Sequence, residues 1–273
     1  MKTLRPTFTP VEASLYLTLC GRALDSRSPH PFLGDGRADA VVRAVGYDCS
    51  QLPLAASSVA GIALRAKYLD RIVRRFVDRF PSAVVLDLGA GLDTRYFRID
   101  PPPTVDWYDI DLPAVVAARR AVLPDRSGVH AVAADLTDPQ WLDQVPTDRP
   151  AVIVADGLVA FLEQDALVTL LNRLTDHLPA GELAFNGYTR FHVWALKRYG
   201  GTRSIADVVV NPGFDDPRDP ESWDHRLTLV EELFLTRVPE VAQFPPGVRM
   251  ITRLAARSAA LSRRGTTILR YRF

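Results

Sequence analysis

Val84-Val85-Leu86-Asp87-Leu88-Gly89-Ala90-Gly91 runs from a valine-rich apolar segment directly into a Gly-x-Gly turn, and Asp111 stands twenty residues beyond Gly91. A short apolar run closed by turn residues reads as a strand buried on both faces. The glycines let backbone come close to a ligand that side chains would exclude. An acidic residue at the end of the following strand is placed to accept the ribose hydroxyls of a nucleoside.

Outward from this turn the texture repeats. Residues 83–88, 105–110, 129–133, 151–155 and 182–188 are short strand candidates, with helical patterns at 112–123, 139–145 and 164–178 between them. This alternation predicts a parallel sheet covered on both faces, with right-handed crossovers. Upstream, Ile62, Leu64, Leu69, Ile72, Val73, Phe76 and Val77 recur at helical spacing, with Asp70 and Arg74 on the polar face. Residues 1–60 have a helical pattern broken by Pro29, Pro31, Gly34, Gly36 and Pro53. Downstream, an aromatic helix over 190–199 leads into a polar loop through Asp224. A helix over 227–235 follows, then two closing strands at 248–256 and 266–273.

The 273 residues carry 33 Lys+Arg against 32 Asp+Glu, a formal charge of +1, which gives no global field for nucleic acid or an anionic membrane. Only three lysines (Lys2, Lys67, Lys197) and seven glutamates occur, so the charge is almost all arginine and aspartate, a pattern that reads as coding bias. Cys20 and Cys49 make no disulfide framework and no zinc site, and the five histidines lack metal-ligand spacing. Lys2 and Arg5 precede only a short, partly polar run at 13–20, a poor signal-peptide core. The expectation is a cytoplasmic protein with reduced thiols, no membrane span and no metal.

The Gly-x-Gly turn suits two nucleoside cofactors. A dinucleotide fingerprint wants a third glycine three residues after Gly91, where Thr94 stands. S-adenosylmethionine has no pyrophosphate and tolerates that loss. The Asp109/Asp111 pair ends the second strand, and Asp135-Leu136 after the third could meet an adenine ring or open a helix. Asp156 after the fourth strand faces the crevice of a parallel sheet, where a buried carboxylate needs a cationic partner.

Taken in order, Gly89-Ala90-Gly91-Leu92-Asp93-Thr94-Arg95, Tyr108-Asp109-Ile110-Asp111-Leu112-Pro113, Ala134-Asp135-Leu136 and Asp156-Gly157-Leu158 resemble the leucine carboxyl methyltransferase family. Leu64-Arg65-Ala66-Lys67-Tyr68-Leu69-Asp70 and the ending Arg270-Tyr271-Arg272-Phe273 fit as well. The similarity is to its bacterial branch of polyketide and other secondary-metabolite O-methyltransferases, the tetracenomycin type. It implies an α/β class I S-adenosylmethionine-dependent methyltransferase, Rossmann-like, with a seven-stranded sheet, an antiparallel last strand and an N-terminal helical lid. The expected organisation is one domain: a helical cap (1–60), a cofactor-binding core (61–190), a substrate lid (190–240) and a closing β-hairpin (241–273).

Carried over by position, Arg65 would pair with the methionine carboxylate, and Gly89, Ala90 and Gly91 would pass beneath the methionine. Asp109 and Asp111 would serve the ribose, Asp135 and Leu136 the adenine, and Asp156 the amino group. The family often has glutamate at the positions of Asp109 and Asp156. Asp93 or Thr94 would cap the next helix, with Arg95 pairing locally.

The implied reaction is O-methylation of a small aromatic or polyketide-type acid, or of a hydroxyl, releasing S-adenosylhomocysteine. Tyr188, Arg190 and His192 are the candidate catalytic residues, with Trp194, Tyr199, Trp223 and His225 as further pocket candidates. A protein or peptide carboxylate as acceptor, or a dinucleotide-binding protein, are the alternatives. A nucleic-acid amino-methyltransferase would carry Asp/Asn-Pro-Pro-Tyr/Phe where this chain has Asp156-Gly157-Leu158-Val159.

Overall fold

The computed structural model describes residues 6–273, so Lys2 and Arg5 lie outside the described residues. In chain order the elements are α1 (Pro10–Ala13), α2 (Leu15–Ser26), α3 (Gly36–Val45), α4 (Ala56–Arg79), β1 (Val84–Leu88), α5 (Arg95–Ile99), β2 (Asp106–Asp111) and α6 (Pro113–Val122). Then come β3 (Val129–Ala133), β4 (Ala151–Ala155), α7 (Gln164–His177), β5 (Gly181–Gly187), α8 (Arg190–Leu196), α9 (Asp219–Trp223), β6 (Thr228–Phe234), α10 (Pro246–Ala256), α11 (Ala259–Ser262) and β7 (Thr267–Arg272). Short 3-10 turns fill several connections, including Cys49–Gln51 and Pro139–Gln144.

One seven-stranded sheet runs in the order β3-β2-β1-β4-β5-β7-β6. The first five strands are parallel, and β7 pairs antiparallel with both β5 and β6. Alternate residues serve opposite faces. Leu86, Leu88, Ile153 and Phe185 pack with Leu167, Leu170 and Leu174 of α7. Val85, Trp107, Val152 and Val154 pack with Leu69, Ile72, Val73 and Phe76 of α4. Buried on both faces, the central strands read as continuous apolar runs. Chain order reverses between β1 and β4, where Leu88 pairs with Ala155. A crevice opens there beyond the carboxyl ends of the strands. A third cluster, from α2, α3 and α6, roofs it with Leu19, Val41, Val45 and Val115.

Three expectations need correction. Residues 227–235 form β6, not a helix. A bulge between Leu229 and Glu231 breaks the two-residue alternation, and Arg270 Nε of β7 donates to Glu231 Oε2 at 2.9 Å. Residues 248–256 belong to α10, not to a strand: Pro246 supplies its first turn, and the β-branched Val248 and Ile251 imitate strand composition. The closing hairpin therefore pairs residues 228–234 with 267–272 and carries α10 and α11 in between. Cys20 of α2 and Cys49 form a disulfide with Cα atoms 5.6 Å apart, against the expectation of reduced thiols. Spacing in sequence could not show that α2 returns against the Cys49–Gln51 turn.

Candidate active site

Every strand of the parallel set ends on one rim, and the turns that follow line a cavity of about 690 Å³, within the range of small-ligand sites. Gly89-Ala90-Gly91 follows β1, Asp111 ends β2, Asp135-Leu136 follows β3, Asp156-Gly157-Leu158 follows β4 and Tyr188 follows β5; all line it. Leu15, Leu17 and Thr18 of α2 and Arg65 of α4 complete the inner wall.

Gly89 and Gly91 take φ values of +64° and +52°, the left-handed region that glycine enters without steric cost. Gly91 N–H donates to Asp111 Oδ2 at 2.6 Å, and Leu112 N–H donates to Asp111 Oδ1 at 2.7 Å. The acidic residue thus ties the glycine turn to the next strand and keeps further lone pairs for a ligand. Burial pushes the Asp111 carboxyl above its usual value, against the lowering effect of these two bonds.

Asp109 does not share this role, a correction to the expected set. Its side chain accepts from Trp107 Nε1 at 2.8 Å and from Arg119 Nη2 at 2.6 Å. Arg119 Nη1 in turn donates to the carbonyls of Gly91 and Asp93, at 3.1 and 2.6 Å. Asp109 supports the turn from behind rather than entering the cavity. Asp109 and Asp111, two residues apart, share a face of β2, and position along the strand makes the split: Asp111 ends the strand on the rim, whereas Asp109 lies one step back, held by Arg119 beneath the Gly91–Asp93 turn.

Arg65 and Asp156, expected to bind opposite ends of one ligand, form an ion pair with each other. Burial disfavours the Arg65 cation, but the Asp156 charge outweighs it and raises the guanidinium above its ordinary value. Yet Arg65 Nε, both Asp156 carboxylate oxygens, Arg95 Nη2 and Asn186 Nδ2 are buried without a well-formed hydrogen bond. Gly157 N–H donates to Asn186 Oδ1 at 2.7 Å and fixes the turn beside them.

Behind the pair lies an Arg/Asp network. Arg95 Nη1 donates to both oxygens of Asp87 at 2.8 and 2.7 Å, Arg95 Nε to Asp70 at 2.9 Å, and Arg95 Nη2 lies 3.6 Å from Asp156. Arg98 joins Asp35, Asp70 and Asp93. Arg95 therefore pairs across the fold, not locally, and α5 has no side-chain cap at Thr94, which donates to Asp35 instead. Burial, outweighing Arg95, pushes the Asp87 carboxyl up to about 7, with the Asp93 and Asp109 charges behind it.

Asp135 is exposed and lines the cavity edge; its Oδ1 accepts from Thr137 N–H at 2.9 Å. The following 3-10 turn is capped by Asp138, not by Asp135. Leu136 is buried beside it.

The outer wall comes from α8 and the turn before β7. His192 lines it, half-buried, its ring 5.3 Å from that of Tyr188. His192 Nδ1 lies 3.3 Å from Gly265 O; a carbonyl only accepts, so Nδ1 carries the proton and Nε2 keeps its lone pair. Burial holds this imidazole below its usual value, with Arg65 acting the same way against the Gly265 bond. Burial likewise raises the Tyr188 phenol. Arg190 is exposed and absent from the cavity lining, its N–H donating to Asp215 Oδ1 at 3.1 Å, so its expected place in the site is corrected. Tyr199 reaches the cavity, whereas Trp223 packs on Phe214 at 5.2 Å. Thr18 and Arg264 went unseen in the sequence, since neither a helix threonine nor a turn arginine has a spacing that marks it.

Among the described residues no cluster of His, Cys, Asp or Glu could hold a metal ion, and no helix is long and apolar enough to cross a membrane. The fold matches that of magnesium protoporphyrin IX methyltransferase from Synechocystis, with a TM-score of 0.50 at 12% identity over 88% of this chain and 94% of that one. It matches equally an S-adenosylmethionine-dependent methyltransferase of Mesorhizobium loti, TM-score 0.50 at 16% identity, over 75% and 98% of the two chains. In sequence it is 36% identical over 97% of both chains to the tetracenomycin polyketide synthesis O-methyltransferase of Streptomyces glaucescens. It is 34% identical, over 84% of both, to an S-adenosyl-L-methionine-dependent methyltransferase of Gibberella zeae. The leucine carboxyl methyltransferase model matches residues 16–175. The chain belongs to the leucine carboxyl methyltransferase family.

Proposed function

We propose that this protein is an S-adenosylmethionine-dependent O-methyltransferase that esterifies the carboxylate of a small natural-product acid. The observation that carries the reading is the buried Arg65–Asp156 pair, with hydrogen-bonding capacity unfilled, on the same rim as the Gly89–Gly91 turn and Asp111. An amino-acid zwitterion offers a carboxylate to Arg65 and an ammonium to Asp156, so one cofactor answers both charges. Asp111 has lone pairs for ribose hydroxyls, and Leu136 an apolar surface for adenine, with Asp135 beside it.

Bound there, S-adenosylmethionine supplies an electrophilic methyl group on a sulfonium leaving group. The chain's own task is to align the acceptor and exclude water. A carboxylate needs no base. Tyr188, Leu162, Leu196 and Ile205 form a largely apolar wall suited to a planar acid.

His192 supports a second reading. Neutral, with Nε2 free to accept, it could take the proton of a phenol, whose ordinary pKa is about 10. The two readings separate in one experiment: incubation with S-adenosylmethionine and a panel of aromatic carboxylic acids and phenols, with products read by mass spectrometry. A methylated product that mild alkali cleaves supports the ester; only alkali-stable methyl ethers would sink the carboxylate reading.

A further inference from the structure

We propose that Arg264 is the receptor for the acceptor's carboxylate, at the cavity edge beside His192 and the Ser262–Gly265 turn. The proposal rests on the carboxylate reading above and gives it a specific contact.

Three arginines line the cavity: Arg22, Arg65 and Arg264. Arg22 lies 3.3 Å from Asp35 and 3.6 Å from Asp93, fully buried. Arg65 is engaged by Asp156. Among the described residues Arg264 has no carboxylate partner, and its guanidinium sits over the Phe191 ring, 5.1 Å from the centroid. Stacking on an aromatic face leaves the N–H edge of a guanidinium open for a planar anion.

The turn that carries it is held from two sides. Arg264 N–H donates to Leu261 O at 3.2 Å and Gly265 N–H to Ser262 O at 3.0 Å. Thr189 Oγ1 donates to Arg263 O at 3.3 Å, and His192 Nδ1–H to Gly265 O at 3.3 Å. The backbone at Arg264 is thus fixed next to His192 at the cavity edge, beside a largely apolar wall, and its exposed guanidinium rests on the Phe191 ring just outside the lining. A carboxylate entering such a wall loses hydration, and a charge-assisted guanidinium pair offsets that loss.

The reaction then controls its own ligand. A lone pair on the carboxylate oxygen forms the new O–CH3 bond, and the C–S bond breaks with its electron pair passing to sulfur. Sulfonium and carboxylate become thioether and ester, and no proton moves. The ester has no charge for Arg264, so the product is held less tightly than the acid.

The test compares wild type with Arg264→Met and Arg264→Lys on an aromatic acid that wild type esterifies. Arg264→Met should raise KM for the acid at least about tenfold, the loss of one charge-assisted pair, with kcat little changed. S-adenosylhomocysteine affinity by calorimetry should stay at the wild-type level, which also shows that the variant folds. Wild type should bind the acid more tightly than its methyl ester; Arg264→Met should erase that preference, and Arg264→Lys should restore part of it. An unchanged acid KM and an unchanged acid-over-ester preference in Arg264→Met would overturn the proposal while leaving carboxylate methylation intact. Methylation of phenols alone by wild type would overturn both.

Discussion

Arg95 shows what the arginine and aspartate excess does at the level of single residues. Fully buried, it faces Asp70, Asp87, Asp93 and Asp156 at once. Four carboxylates around one guanidinium are tolerable only while that cation is present, since an unpaired buried charge is costly. Arg95→Met should therefore cost on the order of 3–5 kcal/mol, read as a fall in denaturant midpoint; a variant as stable as wild type would refute the network's importance. His192 makes a pH prediction. Burial holds it below its ordinary 6.5 in the folded chain, so the folded state binds fewer protons than the unfolded state between those values. The stability it contributes is present above pH 6.5 and is lost as pH falls towards the depressed value. His192→Gln should flatten that part of the acid limb of thermal stability, and an unchanged slope would argue against a half-buried neutral imidazole. Coding bias accounts for exposed arginines and aspartates; Arg95, expected to pair locally, and Asp70, expected on the polar helix face, instead meet partners on different elements.

Among the elements, the parallel half of the sheet was legible because its central strands β1 and β4 are buried apolar runs and each parallel strand ends in a turn with its own residue signature. β6 and α10 were not. A bulged edge strand with Glu231 and Glu232 side by side loses its alternation, and a short helix containing Val248, Ile251 and Thr252 has the composition of a strand. In both cases tertiary pairing outweighs local pattern. The cap was visible only as broken helix; its closure was not. The Cys20–Cys49 bond spans 29 residues and ties α2 to the turn leading into α4. Both elements contribute to the cavity wall, through Thr18 and Arg65. A closure of this length is worth about 3.6 kcal/mol by loop entropy. A Cys20→Ala/Cys49→Ala variant should unfold at lower temperature and bind S-adenosylhomocysteine more weakly than wild type. Equal melting temperature and equal affinity would show that the cap is held by packing alone.

For the whole molecule, the near-zero charge was silent about function, whereas placement was informative. The fold brings Arg65, Asp111, Leu136 and Asp156 to one rim; position after successive strands had pointed to the last three, and the family resemblance to Arg65. What sequence could not show was that Arg119 engages Asp109 one step back from the rim, or where the distant turn at Arg264 returns. It also could not show that Arg65 and Asp156 pair with one another. On the reading proposed above, this rim binds S-adenosylmethionine through a carboxylate on the ribose side and a charge pair on the methionine side. Calorimetric titration of the purified chain with S-adenosylhomocysteine, alongside Asp111→Ala and Asp109→Asn, tests it most directly. The account predicts saturable one-to-one binding that Asp111→Ala weakens at least about tenfold, the loss of charged hydrogen bonds, while Asp109→Asn lowers stability far more than affinity. No heat of binding in the wild-type chain, or equal affinity in Asp111→Ala, would contradict it.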